Sequence, residues 1–381
     1  MKAFLDKELQ SRKRDRILKI IIFVLLLLII IAMITCICEY YFNLEFRQWC
    51  DENVLRKEVL QEDCKSIELD GDENTKVYAY EKYICVFRKK TLEFYNKLGT
   101  QISTMELDIN EAIFTTAGRY MAICEENGQK FYLICGKEKL YGGEIEGNIT
   151  QINVSRSGYI SIVISNTSYK SIVDVFDRNG KEVFRTNLVS SRVADVSISQ
   201  DSKYLAIAEV DLSGILIQSK IQVVSMELAQ TNPNEAILYK YEAPTDELIM
   251  NIEYQEQNKL ICMYNDRIEM LQENTSTKLA EFENRQLTFT TIQLNNGIVL
   301  VEEISAGGYT ADTNINITNT ISSKSRQYVT KNVAKSIKTS DNKIAINFGT
   351  ELHIIDKNGI LLKKYISETE INDIVMTNAL V

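Results

Sequence analysis

His353 is the only histidine in the chain, so no multi-histidine metal site can form. A lone imidazole can still serve as a general base. His353, however, sits inside the apolar run Leu352-His353-Ile354-Ile355 and reads as a packed strand residue. No Gly-x-Ser-x-Gly elbow, P-loop or Gly-x-Gly-x-x-Gly occurs. Asp70-Gly71-Asp72-Glu73-Asn74 offers calcium-friendly oxygens without the spacing or terminal glutamate of an EF-hand loop, and reads as an Asp/Gly turn. Glu302 and Glu303 are adjacent acids. Glycoside hydrolysis needs two carboxyl groups placed across a pocket, which only the fold can arrange.

Eight cysteines build no framework, and none forms Cys-x-x-Cys. Cys36 and Cys38 end an apolar run near the N-terminus. Cys85, Cys124, Cys135 and Cys262 lie in apolar strand-like runs, where a free thiol behaves as a small hydrophobe. Cys50 and Cys64 stand in a polar stretch and either pair outside the cell or stay free. These residues give no catalytic, cofactor-binding or metal-ligating assignment, and no cofactor is expected.

The elements that hold these residues begin with an anchor. Residues 20–38 carry no charge. Nineteen helical residues rise roughly 29 Å, which matches a hydrocarbon core of about 30 Å. Lys2, Lys7, Arg12, Lys13, Arg14, Arg16 and Lys19 precede the run; from Glu39 to Glu52 only Arg47 is basic. This bias keeps residues 1–19 in the cytoplasm as a basic tail, with the remainder outside. Tyr40, Tyr41, Phe42 and Trp49 stand where an interfacial aromatic belt belongs. The apolar core is too long for a cleaved signal peptide, and no Ala-x-Ala follows it. Thr35 is larger than the residue that usually precedes a lipidated cysteine, which argues against a lipoprotein site at Cys36. Residues 39–74 read as a partly helical juxtamembrane stalk, with Phe46, Trp49, Leu55, Val59 and Leu60 among many charges.

Of the 43 basic and 52 acidic residues, seven and three lie in the tail, which leaves 36 against 49 beyond it. An excess of acids disfavours nucleic acid as a partner.

Beyond residue 75 the pattern turns to short runs of Val, Ile, Tyr and Phe between turn residues. One unit recurs. Its first half is clear in Val196-Ser197-Ile198-Ser199-Gln200-Asp201-Ser202-Lys203-Tyr204-Leu205 and again in Ile152-Asn153-Val154-Ser155-Arg156-Ser157-Gly158-Tyr159-Ile160. Its second half is clear in Val175-Phe176-Asp177-Arg178-Asn179-Gly180 and Ile354-Ile355-Asp356-Lys357-Asn358-Gly359. The first turn of each unit falls at Glu81, Gly118, Gly158, Ser202, Asn258, Gly297 and Asn342, with steps of 37, 40, 44, 56, 39 and 45 residues. A β-unit of that period is a propeller blade. The long step holds both prolines, Pro233 and Pro244, and reads as a surface excursion. The fold class is therefore all-β: a seven-bladed β-propeller over residues 75–381, carried by a single N-terminal transmembrane helix. Ile371–Met376 resembles the first strand of a blade and is expected to close the ring as the inner strand of the blade that includes Tyr83–Met105. The alternative is a blunt ring in which Val77–Tyr80 fills that place.

The basic tail, single anchor, Tyr83-to-Gly99 opening (Tyr-x-Cys-Val-Phe, then Leu-Glu-Phe-Tyr-Asn-x-x-Gly) and the Val154-to-Tyr159 blade motif resemble the DUF5711 family of clostridial membrane proteins. The resemblance implies a single-pass protein with an extracytoplasmic propeller-like domain and carries over no site residue. The expected function is a non-catalytic interaction platform or sensor at the bacterial cell surface. Its partners would be the bilayer, through residues 20–38, and a protein or cell-envelope glycan. The alternative is an extracellular hydrolase acting on a glycan or peptide. A cluster of carboxylates at one mouth of the central channel would favour the enzyme or a cation site.

Overall fold

The computed structural model describes residues 2–43 and 75–377, apart from 274, 284 and 306–310, together with a few isolated positions between the two stretches. The chain divides into two compact units, Met1–Glu58 and Val59–Val381. In the first, Lys2–Phe42 forms one helix, α1. Its stretch Lys19–Phe42 is long and apolar enough to cross a membrane. The large apolar side chains between Ile20 and Ile37 stand exposed, a surface that is unfavourable in water. Cys50 is described, as a half-buried free thiol, whereas most of the expected stalk, Cys64 and the turn at residues 70–74 fall outside the described residues.

The second unit holds 28 described strands, β1 to β28 in chain order, arranged as seven four-stranded antiparallel sheets. The blades run Lys76–Glu106, Ala112–Glu144, Asn148–Leu188, Ser191–Glu242, Ile249–Glu281, Leu287–Thr330 and Ser336–Ile366. Burial follows position within the blade. The second strand of blade 3, β10 (Ile160–Ser165), is buried along nearly its whole length between its neighbours, and it reads as an unbroken apolar run for that reason. The outermost strand of blade 1, β4 (Gln101–Glu106), alternates half-buried and exposed residues. Each blade's first hairpin turns through a left-handed residue: Glu81, Gly118, Gly158, Ser202, Asn258, Asn296 and Asp341. All seven lie at or beside the turns read from the sequence. The proline-bearing step holds a short helix, α2 (Met226–Thr231), capped by the Ser225 hydroxyl, and a 3-10 turn at Pro233–Glu235.

Six apolar clusters join consecutive blades, from Phe87, Phe94 and Met121 between blades 1 and 2 to Ile317, Ile344 and Ile355 between blades 6 and 7. At the seventh seam, between blades 7 and 1, the described residues form no comparable cluster, and the C-terminal segment crosses there instead. The Ile371 amide donates to Gly349 O at 2.8 Å, at the blade 7 end. The Thr377 hydroxyl donates to Glu81 O at 2.7 Å, at the blade 1 end. Between them Ile374 is 4 % exposed.

This corrects the expected closing strand. Blade 1 has its own innermost strand, β1 (Lys76–Tyr80), in register with the next from Lys76↔Phe87 to Tyr80↔Tyr83. The innermost place in that sheet is therefore already taken, and among the described residues the tail joins no strand. The tail also makes a local bond, Ile374 N to the Asp373 carboxylate at 2.8 Å, of the kind that competes with a ladder. It is a non-ladder strap over the seam.

A second correction concerns the thiols. Cys85, Cys124 and Cys262 are fully buried. Burial pushes the Cys85 and Cys124 thiols up to about 12, and Cys262 well above its ordinary range. Cys135 ends its strand, β7 (Lys130–Cys135), and is only half-buried. Under native alkylation the first three should stay unmodified while Cys135 reacts, as read by mass spectrometry. Modification of Cys85, Cys124 or Cys262 at the rate of Cys135 would contradict the packing described here.

Candidate functional site

The first hairpins of all seven blades converge on one mouth of the central channel, around a cavity of about 870 Å³. Polar bonds tie these hairpins together. The Ser155 and Ser202 hydroxyls lie 2.9 Å apart, joining blades 3 and 4. The Glu256 carboxylate of blade 5 accepts from the Asn295 and Asn296 side-chain amides of blade 6, at 3.1 and 2.6 Å, and these bonds hold it below the usual carboxylate range. The Asn295 backbone N–H donates to Asp341 O of blade 7 at 2.9 Å. The Arg156 guanidinium of blade 3 reaches the Asp341 carboxylate at 2.8 Å, a pair that links non-neighbouring blades at the mouth.

Deeper in, the inner strands are stitched by side chains. Asp195, on β13 (Ser191–Ile198), accepts from the Gln151 side-chain amide, from Val196 N at 2.8 Å and from Ile252 N at 2.8 Å. Burial pushes its carboxyl up, and the three bonds oppose the rise. Ser197 accepts from Tyr254 N at 2.9 Å, and the Asn153 amide donates to Val196 O at 2.7 Å. Gln255 is buried and donates to Ile292, Leu294 and Gly297 carbonyls. These residues sit two positions apart because successive strand side chains face opposite ways.

One ring of cavity-lining positions stands out. It is made of Thr116, Asn153, Ser197, Glu253, Gln293 and Thr339, one from each of blades 2 to 7. Five are uncharged and Glu253 is the exception. Glu253, on β17 (Ile249–Tyr254), keeps part of its surface open to the lumen and is otherwise enclosed by protein. That enclosure pushes its carboxyl up to about 8, and the Asp195 carboxylate adds to the rise. Near neutral pH it is therefore largely a neutral acid. Sequence reasoning assigned no site residue and missed Glu253. The signal was present in the repeat: aligned on the blade turns, its counterparts include Asn153, Ser197, Gln293 and Thr339, and an acid among them is anomalous.

The residues singled out in the sequence lie elsewhere. His353 is buried in blade 7, its Nδ1 2.9 Å from the Tyr328 hydroxyl and its ring 4.7 Å from that of Phe348. Burial lowers its imidazole to about 4, with Lys364 adding and Glu351 opposing. Because the chain has a single imidazole, its NMR signal needs no assignment. We expect no titration between about pH 8 and pH 5, and a midpoint near the ordinary 6.5 would place it in water. Glu302 is held by Arg285 at 2.9 Å and by Asn316 at 2.9 Å in blade 6, and neither it nor Glu303 lines the channel mouth. Among the described residues no three His, Cys, Asp or Glu side chains gather as a metal would need.

Comparison with known proteins agrees on the fold. The crystal structure of Citrobacter koseri AztD is similar with a TM-score of 0.50 at 10 % identity, over 81 % of this chain and 89 % of that one. A putative dipeptidyl aminopeptidase IV from Bacteroides ovatus gives a TM-score of 0.49 at 12 % identity, over 77 % of this chain and 51 % of that one. At 10 % identity the likeness to AztD speaks to architecture alone. No curated protein matches the sequence. The model of the family of unknown function DUF5711 matches residues 61–380, nearly the whole propeller unit, and the chain is a member of that family.

Proposed function

We propose that the protein is a membrane-anchored propeller displayed on the outer face of the cell membrane, where it acts as a non-catalytic binding platform or sensor. One observation carries the non-catalytic reading: the groups that link the blades at the channel mouth are committed to one another, and among the described residues that line the cavity no hydroxyl donates to a carboxylate. Asp341 is paired with Arg156, Glu256 with two amides, Asp195 with three donors, and the Ser155 and Ser202 hydroxyls with each other. The only imidazole is not among the lining residues. A wide polar cavity without such a pair suits recognition.

A glycan hydrolase would use Glu253 as its acid. Its second carboxyl would have to be Asp195, whose oxygens are both occupied by donors from the blade wall. Three donors thus hold three of its roughly four acceptor sites and fix it against the wall, which suits a structural role better than attack or activation of water. Display outside the cell rests on the apolar stretch Lys19–Phe42 and on the seven basic residues up to Lys19. Protease added to intact protoplasts should remove the propeller and spare an N-terminal tag. Loss of the tag with survival of the propeller would overturn the orientation.

A further inference from the structure

Glu253 is the one charged member of the lumen ring, and among the described residues none donates a hydrogen bond to its side chain. The charges that share its surroundings are Asp195 on the adjacent inner strand and, at the mouth, Glu81, Lys82, Arg156 and Asp341. Neither mouth cation pairs with it. Arg156 is taken by Asp341 at 2.8 Å, and the Lys82 ammonium lies over the Tyr83 ring, 5.6 Å from its centroid. Acids therefore outnumber bases around the lumen, and an anionic ligand would meet repulsion. A neutral polyol would find hydroxyls and amides but would gain nothing from Glu253 beyond one hydrogen bond. A bare metal ion would lack ligands, since the described residues bring no three metal-ligating side chains together. A cavity of about 870 Å³ also has room for far more than an ion.

We infer that the channel takes a small organic cation, with a primary ammonium seated on Glu253 and a hydroxyl- or amide-bearing body held by Thr116, Asn153, Ser197, Gln293 and Thr339. This rests on the binding-platform reading and names its ligand class. An arriving ammonium lets the Glu253 carboxyl release its proton to solvent and form a charge-assisted hydrogen bond in an enclosed site. The uncharged ring then satisfies the rest of the ligand. Affinity is thus tied to pH through that released proton.

The test is calorimetry on the full chain in detergent, with 1-amino-1-deoxysorbitol against sorbitol as a matched neutral probe. The amine should bind at least about tenfold more tightly than sorbitol and release a proton. Its affinity should rise about tenfold per pH unit from about pH 6 and level off near pH 8. Glu253→Gln should abolish both the preference and the pH dependence. Because that variant is expected to be more stable than the parent, its loss of binding would not reflect unfolding. Equal affinity for both probes, no binding of either, or a preference that survives Glu253→Gln would overturn the assignment. NMR of the recovered amine separates the two readings. An unchanged compound supports the platform, whereas a turned-over compound contradicts it and leaves the cation site standing.

Discussion

Glu253→Gln is expected to stabilise the propeller at neutral pH by about 3 kcal/mol, and not at all in acid. The carboxyl sits at about 8 in the folded chain against an ordinary value of 4.5. Below the ordinary value it is protonated in both states and contributes no difference. Above it the unfolded chain ionises while the folded chain holds its proton, so stability falls steadily as pH rises, until the folded carboxyl ionises near 8. Glutamine keeps the shape and removes the titration. The melting temperature of the variant should match the parent near pH 4 and exceed it by several degrees at pH 8. A variant that melts with the parent at both values would mean that the carboxyl is hydrated and ordinary. A destabilising acid at the centre of a channel is the kind of residue that function retains.

Removing residues 371–381 is expected to lower stability by about 5 kcal/mol, a large part of a typical 5–15 kcal/mol. Ile374 is lost from the core, where full burial of such a side chain is worth about 1.5–3 kcal/mol. Asn347 is buried at 1 % exposure, and its amide donates to Ile371 O at 2.7 Å. Without the tail that donor is stranded, at about 1–3 kcal/mol. The seam between blades 7 and 1 also loses its strap. Deletion should therefore depress the melt of the whole propeller in one transition. Asn347→Ala, which breaks the same attachment, should reproduce part of the loss. A truncated chain that melts with the parent would show that the tail is ornamental.

What could be read from the sequence was local. The seven first hairpins were legible because each needs a left-handed residue or an Asx/Ser turn, and such residues recur at Gly118, Gly158, Ser202 and Asp341. The surface excursion was legible because Pro233 and Pro244 cannot donate to a ladder. The tail was misread because Ile371–Met376 resembles the first strand of a blade, such as Val193–Ser199. The place it was expected to fill, innermost in blade 1, is held by Lys76–Tyr80, a local hairpin partner of the next strand. Cys135 was misread for a related reason: its neighbours are apolar, but its place at a strand end leaves it half open. The site was least legible. Glu253 acquires its character first from an enclosure that the blades create together, and then from Asp195, 58 residues earlier.

We place the working site in the channel, with a largely neutral Glu253 at its heart. Infrared titration of the full chain tests this directly, by subtracting the spectrum of Glu253→Gln from that of the parent. The difference should show a protonated carboxyl carbonyl band that persists through neutral pH and disappears with a midpoint near about 8. A band that vanishes near the ordinary carboxylate value of 4.5 would contradict it, and with it the claim that the channel is built around this residue.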